Sequence, residues 1–323
     1  MTECTLCPRN CHINRNLNNG YCKQYSSITA ARAALHMWEE PCISGSNGSG
    51  AVFFSGCNMG CVFCQNYEIA HGDVQKEISS EKLADIFLKL QNEDNAHNIN
   101  LVTPTHFIPQ IVNALEAAKN IGLTIPIVYN TSGYENVTSL KLLDGLVDIY
   151  LPDCKYYSDT LSLKYSNAPD YFDKCSKALD EMYRQVGNPS FEDDLGNIFD
   201  SSSYNDHIES IDETYDDDYS GPLMKKGMII RHLILPGNLE DSKNVIGYLL
   251  KHFSSSVYIS IMNQYTPMPH SQKFPELTRK ISSSEYNEII DFALDNGIEN
   301  GFFQGDDTAT DSFIPAFDFK GLD

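Results

Sequence analysis

The chain of 323 residues is short of cations: 23 Lys and Arg stand against 44 Asp and Glu, a net charge of −21. Nucleic acids and anionic membrane surfaces are held by basic patches, so neither is expected as a partner. Long apolar runs are also missing. The longest stretch, Met228 to Pro236, is broken by Arg231 and His232 and falls well under the roughly 20 residues of a membrane helix. The start, Met1-Thr2-Glu3-Cys4, has neither the basic residues nor the apolar segment of a secretory leader, which points to a cytoplasmic chain in a reducing compartment. The remaining composition, 41% apolar and 21% charged, is that of a core-forming protein, and the length allows one large domain or one domain plus a small appendage.

Ten cysteines in a reducing compartment call for something other than disulfides. Eight of them, Cys4, Cys7, Cys11, Cys22, Cys42, Cys57, Cys61 and Cys64, fall in the first fifth of the chain, a density that reads as thiolate ligation. Cys42, Cys154 and Cys175 read as free, partly buried thiols, with a reservation for Cys154, which lies between two site candidates.

Residues 1–45 hold too few apolar runs to build a core and read as a Cys-rich metal-binding module. Residues 46–310 form the main domain and 311–323 a tail. Apolar, β-branched runs at Ala51 to Ser55, Ile99 to Thr103, Ile125 to Asn130, Val147 to Leu151, Met228 to Leu235 and Val257 to Met262 alternate with helical patterns. This alternation means an α/β fold with a parallel sheet, open or closed into a barrel. In such sheets chemistry gathers at the C-terminal strand ends. Here those ends run into Cys57 to Cys64, Thr103 to His106, Asn130 to Gly133, Asp153 to Lys155, Pro236 to Asn238 and Asn263 to Tyr265. Residues 191–220 break the pattern with eleven carboxylates and no Lys or Arg, and read as a disordered, solvated insertion.

Cys57-x3-Cys61-x2-Cys64 directly follows the first run. Three thiolates in one tight loop suit three irons of a cubane 4Fe–4S cluster, leaving the fourth iron open to a small chelator. A zinc ion borrowing a fourth ligand is the alternative, and the initial three-residue gap, the position after a strand and the aromatic Phe63 argue against it.

The segment Phe53-Phe54-Ser55-Gly56-Cys57-Asn58-Met59-Gly60-Cys61-Val62-Phe63-Cys64-Gln65-Asn66 resembles the cluster loop of radical S-adenosylmethionine (radical SAM) enzymes, and within them the branch similar to pyruvate formate-lyase activating enzyme. Further blocks carry the likeness along the chain: Trp38-Glu39-Glu40-Pro41, Thr103-Pro104-Thr105-His106, Tyr150-Leu151-Pro152-Asp153-Cys154-Lys155-Tyr156, Tyr183-Arg184-Gln185-Val186-Gly187 and Arg231-His232-Leu233-Ile234-Leu235-Pro236-Gly237. The resemblance implies a partial (β/α)6 TIM-like barrel with an N-terminal Cys-rich extension, a 4Fe–4S cluster on Cys57, Cys61 and Cys64, and S-adenosyl-L-methionine on the open iron. One electron would then cleave the cofactor to methionine and a 5′-deoxyadenosyl radical that abstracts a hydrogen atom.

The same resemblance names cofactor-binding positions. Phe63 matches the aromatic beside the adenine, and Asn66 closes the same loop. At the second strand many members carry Gly-Gly-Glu-Pro; this chain has Leu101-Val102-Thr103-Pro104, so Thr103 keeps a hydroxyl and a carbonyl for the methionine ammonium while a carboxylate contact is lost. Asn130 and Ser132 match a ribose or carboxylate contact, though a turn explains them equally. Asp153 and Lys155 fit the zwitterionic methionine end, with an ordinary salt bridge as the plain alternative. Arg231 interrupts an apolar strand and is expected to meet a carboxylate. Gln264, Tyr265 and His106 are weaker candidates, His106 being read first as a helix-entry residue.

Cys4-x2-Cys7-x3-Cys11-x10-Cys22 is a closed four-thiolate set, structural or electron-relaying. A zinc ion and a second iron–sulfur cluster both suit it, and Pro8 and Gly20, which suggest knuckle-like turns, favour zinc. The first functional expectation is activation of a glycyl-radical protein, with a flavodoxin- or ferredoxin-type reductant. Radical modification of a peptide or small molecule is the second, and a non-catalytic electron-transfer module the third.

Overall fold

The apolar runs become strands of one sheet in the computed structural model, which describes residues 3–203, 219, 221–304 and 315–323. In chain order these are β1 (Ile28–His36), β2 (Ser49–Phe54), β3 (Lys76–Ile78), β4 (Ile99–Val102), β5 (Ile127–Thr131) and β6 (Ile149–Pro152). There follow β7 (Ser190–Glu192), β8 (Ile198–Asp200), β9 (Leu223–Leu233), β10 (Tyr258–Met262) and β11 (Gly301–Phe303). The path through the sheet is β11-β10-β9-β6-β5-β4-β2-β1-β3. From β2 to β11 every neighbour on this path is parallel, which accounts for the six expected strands and adds β11. The sheet is open between β11 and β3, a partial barrel.

Both faces of these strands are buried, which is why they read as unbroken apolar runs rather than as alternation. Leu101, Tyr129, Tyr150, Ile230 and Ile259 pack outward with Leu83 and Phe87 of the helix Ser80–Asn92, Ile111 and Leu115 of Ile108–Asn120, and Leu249 of Leu239–Phe253. On the inner face Val128, Ile149, Leu151, Ile229 and Tyr258 pack with Cys42 and Ile43 of the short helix Pro41–Ser44, and with Phe191 and Met224. The floor of the barrel is therefore filled, and the strands' C-terminal ends form its mouth.

Three boundaries differ from those expected. The stretch 1–45 is not all module: β1 pairs antiparallel with β2 and β3 and belongs to the sheet, although its Ile-Thr-Ala-Ala-Arg-Ala-Ala-Leu-His run lacks the β-branched signature. The acidic stretch does not begin as disordered chain, because β7 pairs with both β8 and β9 and buries Phe191 completely. The rest of that expectation, residues 204–218 and 220, lies outside the described residues. The tail packs back onto the sheet: Phe319 N donates to Ala31 O at 2.9 Å, Ala33 N donates to Lys320 O at 2.8 Å, and Leu322 is buried. No helix among the described residues is long and apolar enough to cross a membrane.

Candidate functional site

The loop after β2 turns at Gly56, whose φ of +88° lies in the left-handed region that suits glycine. Space demands glycine there as well, since a Cβ would stand 2.4 Å from Gln24 Cγ and 2.5 Å from Cys22 O. Beyond the turn the loop is clamped by the end of the helix Asp159–Ser166: Gly60 N donates to Ser166 O and Val62 N to Tyr165 O, each at 2.9 Å. Ser166 Oγ donates to Cys61 Sγ at 2.9 Å, and Met59 N to Cys57 Sγ at 3.3 Å. Cys57, Cys61 and Cys64 are half-buried side by side. Burial pushes all three thiols up, Cys64 to about 12, and the neighbouring sulfurs add to the rise at Cys57 and Cys64. The nearby Lys155 ammonium opposes it at each.

Thiols held up by burial in this way are not poised as free nucleophiles. Among the described residues no three Cys, His, Asp or Glu converge as the ligands of one ion would. A cubane asks for no such convergence, because it takes one thiolate per iron. The donor set therefore fits a 4Fe–4S cluster.

Behind the loop, the expected Asn130, Asp153, Lys155 and Arg231 come together in one buried network. Lys155 Nζ lies 2.7 Å from Asp153 Oδ2 and Arg231 Nε 3.2 Å from Asp153 Oδ1. The other guanidinium nitrogens of Arg231 reach Glu39 Oε2 at 3.1 Å and Asn130 Oδ1 at 2.6 Å. Glu39 Oε1 also accepts from Asn100 Nδ2 at 2.9 Å and from Asn130 Nδ2 at 3.2 Å. Burial alone would raise Asp153; Lys155 and Arg231 overcome it and hold the carboxyl below its usual range. Arg231 thus meets its carboxylates within the chain. The sequence offered Glu39 in a recognisable block without a role, and Arg231, 192 residues away, supplies it.

Thr103 sits at the end of β4 with φ +59°, left-handed for a β-branched residue, and its N–H donates to Asn130 O at 2.9 Å. Strain of this kind costs about 1–3 kcal/mol and collects at functional positions. Phe63 is buried, edge-on to Tyr265 with ring centroids 6.2 Å apart. Asn66 begins the short helix Tyr67–Ala70, its carbonyl accepting from Ala70 N at 2.9 Å. Ser132 is fixed through its carbonyl, which accepts from Tyr171 OH at 2.7 Å. Gln264 O accepts from Gln65 Nε2 at 3.3 Å, tying the end of β10 to the loop.

His106 is a strap. Its Nε2 lies 2.8 Å from Ser55 O, so the N–H must donate, and burial lowers its pKa to about 3, leaving it neutral. A residue without any signal in the sequence is Glu135, fully buried, which accepts from Thr105 Oγ1 at 2.6 Å, from Thr131 Oγ1 and from Tyr129 OH at 3.4 Å. Burial pushes its carboxyl up to about 7, against the opposing effect of these hydroxyls.

Residues 51–189, which span this loop and strands β4 to β6, match the model of the Radical SAM superfamily. Over this stretch the chain is similar to radical SAM proteins. An uncharacterized protein of Methanocaldococcus jannaschii is 25% identical over 301 residues, covering 90% of this chain and 74% of its own length. Among solved structures, Streptococcus suis SuiB bound to S-adenosylmethionine superposes with a TM-score of 0.48 at 11% identity, over 77% of this chain and 48% of SuiB. This chain thus spans about half the length of SuiB. Methylornithine synthase (PylB) gives 0.46 at 12% identity, over 75% of this chain and 60% of that one. Spore photoproduct lyase with a dinucleoside spore photoproduct also gives 0.46 at 12%, over 78% and 74%.

Proposed function

We propose that this chain holds a 4Fe–4S cluster on Cys57, Cys61 and Cys64 and uses it to cleave S-adenosyl-L-methionine for hydrogen-atom abstraction, with a glycine of a partner protein as the target. The observation that carries the chemistry is the clamped three-thiol loop at the mouth of the barrel, within the region that matches the radical SAM model. The glycyl target rests on the sequence blocks similar to pyruvate formate-lyase activating enzyme.

A cluster held by Cys57, Cys61 and Cys64 would supply the electron for reductive cleavage of the cofactor. The chain's own residues hold and orient. Ser166 fixes Cys61, Lys155 keeps a positive charge beside the three sulfurs, and Asp153 fixes Lys155. Thr103, Asn130, Ser132 and Arg231, at or near strand ends, with Phe63 and Asn66 on the loop, make up the proposed cofactor cradle; Arg231 acts through Asn130 and Asp153. The filled barrel floor keeps water from entering below. A flavodoxin- or ferredoxin-type protein is the proposed electron donor, and the N-terminal four-cysteine set a second metal site, zinc or cluster.

The test is anaerobic reconstitution, reduction with S-adenosylmethionine present, and product analysis. Formation of 5′-deoxyadenosine, lost on Cys57→Ala, is expected; a reducible cluster that yields none would leave an electron-transfer protein. A glycyl radical detected by spin resonance on a co-purifying partner would bear out the target, and a modified peptide or small molecule would replace it.

A further inference from the structure

Tyr156 follows Lys155 in the loop beyond β6 and is 1% exposed. Its ring stands edge-on to Tyr171, with centroids 5.4 Å apart and planes at 83°. Tyr171 is itself pinned beside two strand ends: its hydroxyl donates to Ser132 O at 2.7 Å and accepts from Lys155 N at 2.9 Å. The Tyr156 ring is thus fixed, and its hydroxyl lies 2.6 Å from Ser166 Oγ. Ser166, also buried, holds the cluster loop twice. Its carbonyl accepts from Gly60 N at 2.9 Å, and its hydroxyl donates to Cys61 Sγ at 2.9 Å.

Two hydroxyl protons lie on this line, and each needs an acceptor because neither side chain reaches solvent. A hydroxyl offers one proton and two lone pairs. Were Ser166 to donate to Tyr156, the phenol proton would have no acceptor among the described residues and Cys61 would lose its donor. One assignment uses both protons: Tyr156 O–H donates to Ser166 Oγ, and Ser166 O–H donates to Cys61 Sγ. A donor on Ser166 Oγ then does two things. It keeps the serine proton aimed at sulfur, where a serine in the last turn of a helix is otherwise free to turn to the carbonyl four residues back, here that of Ser162. It also polarises the serine hydroxyl, since hydrogen bonds in a buried chain strengthen one another.

We propose that Tyr156 is a positioning residue for the cluster: through Ser166 it sets the hydrogen bond on Cys61, and with it the reduction potential. The inference rests on the proposed function, because it takes the cluster on Cys57, Cys61 and Cys64 as given and names what tunes it. Groups behind a ligand fix its orientation, and hydrogen bonds to ligand sulfurs favour the reduced state. The carbonyl clamp of Ser166 on Gly60 does not involve the phenol. Loss of the Tyr156 hydroxyl should therefore leave the loop shaped for iron and change only the electron affinity of what it holds. The segment after β6 then meets the three sulfurs in two ways, by the charge of Lys155 and by the hydroxyl of Tyr156.

The test is a spin-resonance redox titration of the anaerobically reconstituted full chain, without S-adenosylmethionine, on wild type, Tyr156→Phe, Ser166→Ala and the double variant. Tyr156→Phe should load as much iron as wild type and move the midpoint to more negative potential, by less than Ser166→Ala does. In the double variant it should add nothing to the shift of Ser166→Ala. An unmoved midpoint in Tyr156→Phe overturns the role, and a full second shift in the double variant overturns the route through Ser166. Should Tyr156→Phe load poorly, pulsed spin resonance after exchange into D2O decides on the cluster that does form. The deuteron coupling that Ser166→Ala removes should weaken in Tyr156→Phe, and an undiminished coupling overturns the proposal. A wild type with no cluster on the three cysteines sinks the proposed function and this inference together, whereas a loaded wild type whose midpoint Tyr156→Phe reproduces sinks the inference alone.

Discussion

Ser166 Oγ donates to Cys61 Sγ at 2.9 Å, so a hydroxyl from the end of one helix is fixed on a sulfur of the cluster loop. Hydrogen bonds to ligand sulfurs favour the more negative, reduced state of a cluster. Ser166→Ala should still load iron but show a more negative midpoint potential in a spin-resonance redox titration. A potential that stays put or rises would count against the contact.

Gly56 and Gly122 separate packing from backbone strain. Both have left-handed φ, +88° and +113°, but a Cβ at Gly56 meets Gln24 and Cys22 while one at Gly122 meets nothing within 4 Å. Gly122→Ala should cost only the conformational penalty, about 1–2 kcal/mol, in denaturant unfolding. Gly56→Ala should cost distinctly more and lower iron loading as well. Equal losses would mean that the module does not press on the loop.

Arg231→Met would leave Glu39 without its cation and Asp153 with Lys155 alone, a loss of up to about 3–5 kcal/mol, and the companion change Glu39→Gln should recover part of it. The pH dependence has a fixed sign. Asp153 is held below its unfolded value of about 3.9, so its contribution is complete above that pH and fades as pH falls through the lower folded value. The wild type should therefore lose its advantage over Arg231→Met in acid, checked by unfolding midpoints from pH 7 down to about 3.

Glu135 behaves in the opposite sense. Its folded pKa, pushed up to about 7 by burial, lies above the unfolded one, so the folded state binds its proton more tightly. The wild type should be most favoured below about pH 4.3 and lose stability up to about 7. Glu135→Gln, which cannot ionise, should gain on it across that window. A constant difference between pH 4 and 8 would show that Glu135 does not titrate as argued.

The parallel sheet was legible because strands buried on both faces are written as continuous β-branched runs, and each run ended in residues unlike a core. β1 was not, since its alanines become a strand only through β2 and β3, and a local pattern carries no record of such partners. β7 and β8 hid inside a run of carboxylates, where composition outweighed the single buried anchor Phe191. At the site, Cys57, Cys61 and Cys64 announced themselves by spacing. Arg231 announced a need for carboxylates but not their source, because Glu39 reaches it from a loop near the other end of the sequence. Glu135 and Ser166 act through contacts that link distant segments, and neither residue type at those positions is unusual.

The bonds that Phe319 and Lys320 make with Ala31 and Ala33 have a consequence for how the protein behaves in a crowded solution. A flank of β1 that would otherwise present open peptide groups is filled by the chain itself, and open flanks are where sheets of separate molecules join. A fragment ending before residue 315 would carry that flank uncovered and gain a tendency to stack into polymers.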